Sequence, residues 1–425
     1  MLLFRSRVVP FCCVLTMLCL AAGAAAQEPD PHQHMNMTMP ADLGGWTLME
    51  DGVVFGLFNH QGGRRGGDEL RVPNWWMGMA TRKSGRSRFT FTSMLSLDPA
   101  TVGKAGYREV FQVGEELNGQ PLIDRQHPHD LFMQFAAGWR LALADRTGLT
   151  LAGGPAGEPA LGPVAFMHRP SASENPFAPL GHHTFDSTHV SYGVVTAALD
   201  HGPIVLEGSV FNGREPDENR WDFDFGRLDS VSGRLWYTPR PGWELQVSTG
   251  RLAQPERLEP GNIQRTTASA SWMRAAGSKM TAVTVGYGLN DTHHGRRNAV
   301  FAEATRRVGA LAVFGRLEVL QLETERLLDG TPPPADANLG APLAAFTAGA
   351  ARDVVAWRGF EGAFGADLTL YAVPDALKTT HGSRPVSFQL FFRVRPPAGS
   401  MGRMWNMRMS QPLSGHAMKM THEMN

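Results

Sequence analysis

Two short stretches near the ends of this chain concentrate side chains able to hold a soft metal ion. The first reads His32-Gln33-His34-Met35-Asn36-Met37-Thr38-Met39; the second carries Met401, Met404, Met407, Met409, His416, Met418, Met420, His422 and Met424. Thioether sulfur is a soft ligand that selects Cu(I) or Ag(I), while imidazole also accepts Cu(II) and Zn(II). Ten of the 20 methionines lie in these two polar stretches, three in the first and seven in the second. Methionine enriched for packing belongs in a core, not among Gly, Pro, Asn and Ser. The bland alternative is a pair of disordered tails whose methionines act as an oxidation sink.

A second constellation is internal. Asp124-Arg125-Gln126-His127-Pro128-His129-Asp130 and Gly181-His182-His183-Thr184-Phe185-Asp186-Ser187-Thr188-His189 lie in two turn-rich stretches, with Met167-His168-Arg169 between them. His127, His129, His182, His183 and His189 form a candidate metal set for Zn(II), Cu(II) or Fe(II), assisted by Asp130 and Asp186. Pro128 fixes the backbone between two imidazoles. The competing reading is structural: hydrogen-bonded histidines in loops that plug or gate a pore, with Arg125 and Asp130 pairing across it. His293-His294 is a further exposed pair, weak on its own.

Enzyme chemistry has less support. Ser187 and His189 share a strand face two residues apart, but the G-x-S-x-G nucleophile turn is absent. There is no HExxH motif, phosphate-binding loop or dinucleotide fingerprint. No catalytic residue and no organic cofactor is assigned.

The elements that must position these groups read as strands. The chain has 425 residues, 40 Lys+Arg against 40 Asp+Glu, and 19% charged residues, which argues against a nucleic-acid partner. The sequence is turn-rich, with 47 Gly and 29 Pro, yet too apolar at 42% to be disordered. Arg5 and Arg7, the apolar run Phe11 to Leu20 and Ala24-Ala25-Ala26 make residues 1–26 an expected secretion signal. Its removal takes Cys12, Cys13 and Cys19, the only cysteines, and with them disulfide, thiolate-metal and cysteine catalysis. No later stretch of 18 apolar residues suggests a membrane helix.

Downstream the apolar period is two. Phe89, Phe91, Ser93 and Leu95 alternate with Thr90, Thr92 and Met94. Trp243, Leu245 and Val247 alternate with Glu244, Gln246 and Ser248. Val283, Val285, Tyr287 and Leu289, and later Val386, Phe388, Leu390, Phe392 and Val394, repeat the pattern. Tight turns at 83–86, 145–148, 200–203, 239–242, 275–278 and near Gly309 alternate with long connections near 99–129, 155–185, 214–225, 254–263, 324–342 and 374–384. Segments of about ten residues, apolar on one face only and joined alternately by short and long connections, are the signature of a membrane β-barrel. Trp236, Tyr237 and Trp243 around one tight turn suggest an interfacial aromatic girdle.

Over roughly residues 46–395 the chain therefore resembles bacterial outer-membrane β-barrels: all-β, antiparallel, about 16 strands with 12–18 allowed. One departure is the thirty residues that follow the best final strand, Val386 to Val394, which make any assembly signal internal. With Met/His-rich tails at 27–45 and 396–425, the arrangement also resembles the outer-membrane copper-resistance proteins. That resemblance implies copper, Cu(I) by preference, captured in the periplasm by both termini, and metal resistance or permeation as the function. Implied partners are outer-membrane lipid, metal ions and periplasmic metal carriers. The alternatives are a porin-like channel for small solutes with no metal role, and an outer-membrane hydrolase.

Overall fold

The computed structural model describes residues 44–186, 191–258, 260–396, 403, 405 and 407–410. The signal, the tail residues His32, His34, Met35, Met37, Met39, Met404, His416, Met418, Met420, His422 and Met424, and also Ser187 and His189, lie outside the described residues.

The described strands are β1 Trp46–Gln61, β2 Gly67–Arg71, β3 Asn74–Ser84, β4 Ser87–Leu95, β5 Tyr107–Leu117, β6 Gln120–Gln126, β7 Phe132–Ala144, β8 Thr147–Ala156, β9 Val194–His201 and β10 Ile204–Phe211. They continue with β11 Ser230–Tyr237, β12 Trp243–Leu252, β13 Ile263–Ala276, β14 Lys279–Thr292, β15 Gly295–Val308, β16 Leu311–Leu320, β17 Leu343–Trp357, β18 Phe360–Ala372 and β19 Val386–Arg395. Consecutive wall strands pair antiparallel, and β1 pairs with β19 from Val54↔Val394 to His60↔Phe388, which closes the barrel. β2 and β3 are two halves of one stave, because both pair with β1 in continuous register. Pro73 has no N–H to give to the ladder and splits them; its carbonyl still accepts from Phe55 N at 3.0 Å. With β5 and β6 in a separate sheet, the described wall has 16 staves.

The two faces of the wall are inverted relative to a water-soluble barrel. Leu199, Leu206, Val231, Val247, Val285, Val300, Phe364, Leu368 and Leu390 are exposed on the outside. Inside, Thr196, Glu207, Arg234, Ser248, Thr267, Glu303, Arg316, Gln389 and Arg393 are buried. A strand's period of two forces this sorting: once Leu206 points out, Glu207 must point in. Only an apolar solvent outside makes that arrangement favourable. The same parity corrects the girdle. Leu235 and Tyr237 face outward, but Trp236 between them is buried in the lumen, with its Nε1–H donating to Glu207 Oε2 at 2.9 Å.

Connections at one barrel end are short, and Lys83–Arg86, Asp145–Gly148 and Asp200–Pro203 fall there as the sequence suggests. A further tight turn at 358–359, between β17 and β18, carries a weaker signal. At the other end the connections 96–131, 157–193, 212–229, 253–262, 321–342 and 373–385 are long.

Candidate functional site

Two of the long connections fold into the barrel. Connection 96–131 carries the β5–β6 hairpin, which sequence periodicity did not separate from the loop. Asn59 and Gln61, on the inner face of β1, bond its backbone at Arg108 O (2.8 Å) and Val110 N (3.1 Å). Phe111 sits at φ 73°, a conformation rare for a bulky residue. Its N–H donates to Asp124 Oδ1 at 2.8 Å and its ring stacks on His381 at 4.7 Å, so the neighbours over-determine it.

Connection 157–193 runs down the lumen, and its described residues are almost wholly buried. Wall side chains satisfy its backbone: Ser209 Oγ accepts from Ala160 N and Ser248 Oγ from Gly162 N, both at 2.8 Å, while Arg316 donates to Phe177 O at 3.0 Å. Its charges meet wall charges. Arg169 donates to Glu303 at 2.6 Å and to Asp186 at 3.3 Å, and its guanidinium lies over Phe301 at 4.8 Å. Glu174 pairs with Arg393, Arg307 and Arg395. Buried charges persist only when paired and hydrogen-bonded, and these are. Burial pushes the Asp186 carboxyl up to about 6 against the pull of Arg169, and pushes the His168 imidazole down to about 4.

The described tail residues enter from the short-turn end. Arg403 pairs with Asp51 at 3.2 Å and Glu361 at 2.7 Å. Arg408 lies over the Trp236 ring at 4.0 Å and reaches Glu244 at 3.5 Å, and Ser410 donates to Glu207. This part of the tail is held inside the barrel rather than loose, because its arginines find acidic partners on the inner wall. A cavity of about 50 Å³ between Asp51, Trp75, His129, Arg395, Arg403 and Trp405 has room for one or two waters.

Methionines gather around the same segment. Met77, Met79, Met94 and Met133 are buried together on the inner wall, with Met49, Met167 and Met407 packed against them. Six of the eight methionines that lie outside the tails and the expected leader are in this group; Met273 and Met280 are the exceptions. The spacing Met77-Gly78-Met79 on a strand was the available signal, since alternate residues share a face. Met409 packs instead beside Leu161, Phe211 and Leu252.

The internal histidines separate. His127, His182 and His183 come together, with one ring nitrogen of each within 4.8 Å of the others. His129 turns away: its Nδ1 is 2.8 Å from Asp98 Oδ2, held by the short helix Asp98–Thr101. Arg125 and Asp130 do not pair. Arg125 reaches Glu69 at 3.5 Å and the carbonyls of Ala105 and Gly106, while Asp130 meets Arg220 at 3.2 Å. Glu215, in the third long connection, lies 3.5 Å from His183 Nδ1 and was not foreseen, because nothing in its neighbourhood marks it as a ligand. Asp217, Asp222 and Asp224 form an acidic group in the same connection. The rings of His293 and His294 lie 3.8 Å apart at the β14–β15 turn, tilted by 41°.

Comparison with known proteins supports the architecture alone. No protein-family description and no curated protein matches the sequence. Among solved structures, OprB of Pseudomonas putida aligns with TM-score 0.50 and 9% identity, over 83% of this chain and 94% of that one. OmpF of Salmonella typhi, solved with daunomycin, aligns at 0.49 and 10%, over 83% and 98%. An anion-selective porin of Comamonas acidovorans aligns at 0.46 and 10%, over 82% and 99%. The fold is that of the outer-membrane β-barrels of porin type.

Proposed function

We propose that this protein is a porin-like channel of the bacterial outer membrane, with a narrow polar path for small solutes. The observation that carries the reading is the inverted wall: an apolar outer surface around a lumen of paired charges and hydrogen-bonding side chains. A polar lumen in an apolar sleeve is what water-soluble cargo requires. The inward connections and the tail narrow that path, so passage is restricted and depends on their displacement. Both termini then lie in the periplasm, on the side of the short turns. The test is liposome swelling with graded sugars and amino acids, beside single-channel recording. Size-limited uptake or discrete conductance supports the channel; neither, with or without residues 398–425, removes it.

A second reading has its own observation. Met407 of the tail packs against a cluster with four buried inner-wall methionines, Met77, Met79, Met94 and Met133, and thioethers gathered in one place suit copper as Cu(I). On this reading the tails capture the ion in the periplasm, from a metal carrier, and the protein contributes to metal resistance. A Cu(I) competition titration of the folded protein, intact and lacking residues 27–40 and 398–425, tests it. Tight binding that is lost or weakened with the tails supports it, and no binding in the intact protein refutes it.

A further inference from the structure

We infer that His127, His182 and His183 form a divalent metal site that ties the long connections together over the barrel mouth, with zinc or copper(II) as the fitting ion. The histidines come from two connections that are separate in sequence: His127 follows β6, and His182 and His183 open the short helix His182–Phe185. Glu215 brings in the third connection through its contact with His183. Three imidazoles with a nearby carboxylate are a borderline donor set suited to these ions.

Geometry supports the assignment. The three ring nitrogens lie within 4.8 Å of one another. A tetrahedral ion with bonds of about 2.0–2.1 Å needs them roughly 3.3 Å apart, so each moves inward by about 0.9 Å at most. Side-chain rotation accommodates that.

The outer hydrogen bonds are those of a ligand set. His182 Nδ1 donates to Pro179 O at 2.8 Å, and His127 Nδ1 donates to Pro128 O at 3.1 Å. A carbonyl can only accept, so each bond favours the proton on Nδ1 and leaves Nε2 as the lone-pair nitrogen, the usual state of an imidazole that binds metal, while the Gln112 amide also approaches His182 Nδ1, at 3.1 Å. Gln126 Nε2 lies 3.4 Å from His182 Nε2, a long contact that an ion would replace.

The wall holds the helix rigidly. Arg265 donates to His183 O and to Asp186 O, both at 2.5 Å, and Asn290 donates to His183 O at 3.0 Å. Beneath the helix, Gly288 leaves the space it occupies; a Cβ there would sit 2.6 Å from Thr184 O. The two helix histidines are thus fixed by residues that are not themselves ligands, as a preorganised site requires. An ion at this point adds crosslinks to ties that the connections already make with one another, such as Tyr107 stacked on Phe177 at 4.4 Å and Asp130 paired with Arg220.

The experiment is equilibrium dialysis of the full detergent-folded chain against Zn²⁺, with hydrogen exchange of residues 120–131 and 177–186 as second readout. The expected result is one strong zinc site and greater protection of both segments when zinc is bound. His127→Ala and His183→Ala each weaken that site at least tenfold, while His129→Ala and the pair His293→Ala with His294→Ala leave it intact. Heat-modifiable gel mobility confirms that each variant is a folded barrel. Cu²⁺ bound in the same site gives an electron paramagnetic resonance signal with three imidazole nitrogens, reduced to two in His127→Ala. Zinc affinity unchanged in the His127→Ala, His183→Ala double variant overturns the assignment, as does binding that disappears only when residues 398–425 are removed.

Discussion

Arg169, with Glu174, is one of the buried charges that tie connection 157–193 to the wall, so its removal should loosen that connection. The guanidinium is buried and donates to Glu303, Asp186 and the carbonyl of Val164. Arg169→Met keeps much of the volume and the packing on Phe301 but deletes the charge. Breaking a buried ion pair by removing one partner costs about 3–5 kcal/mol. The lower end applies, because Glu303 keeps Arg316 at 3.2 Å and Ser171 at 2.9 Å. About 3 kcal/mol corresponds to roughly a hundredfold rise in the population of the released connection. Hydrogen exchange reads this directly: protection of residues 157–186 should fall by about a hundredfold while β13–β15 hold theirs. Single-channel recordings should show longer and more frequent open bursts than the parent protein. Arg169→Lys should fall between the two, since an ammonium restores charge but not the forked donor geometry. Protection within about threefold of the parent would refute the reasoning, because the connection would then be held by Glu174 and its arginines and by backbone contacts to Ser209 and Ser248 rather than by Arg169.

Other outcomes follow from the same geometry. Arg403→Ala combined with Arg408→Ala removes the basic groups that anchor the tail to acidic wall residues, and conductance in bilayers should rise; an unchanged value would show that the tail does not obstruct the path. Gly288→Leu should displace the His182–Phe185 helix and weaken zinc binding by at least tenfold without unfolding the barrel, and full affinity would refute the placement of that helix. Burial of Asp130 beside Arg220 pushes its carboxyl up to about 6, from an ordinary 3.8. A raised acid stabilises the folded form fully below its unfolded pKa, and that contribution is lost as pH rises through about 6. The protection of residues 127–131 relative to Asp130→Asn should therefore fall between pH 4 and pH 7, and a flat difference would refute it.

How far the sequence reached depends on the range of the interaction. The alternation at Phe89–Leu95, Trp243–Ser248 and Val386–Val394 is a local property, since neighbouring side chains on a strand must point to opposite faces. It was enough to read the barrel, its approximate strand number and most of its turns. It was also enough, had parity been applied strictly, to turn Trp236 inward. Pro73 could be read as a break, but not as a break within one stave, because that depends on both halves pairing with β1. The five internal histidines were visible as candidates, yet spacing could not sort them. His129 and His127 are separated only by Pro128, and Asp98 draws one away while the other meets the helix of a different connection.

What the sequence by itself determined is the wall, because period and turn chemistry are written residue by residue. What only the tertiary structure decided is the content of the lumen: the β5–β6 hairpin, the descent of connection 157–193, the entry of Arg403 and Arg408, and the meeting of Met407 with Met77 and Met79. Those contacts join residues tens to hundreds of positions apart. Their partners are chosen by which charges and hydrogen-bonding groups the closed wall presents at each depth, and that pattern exists only once β1 has met β19.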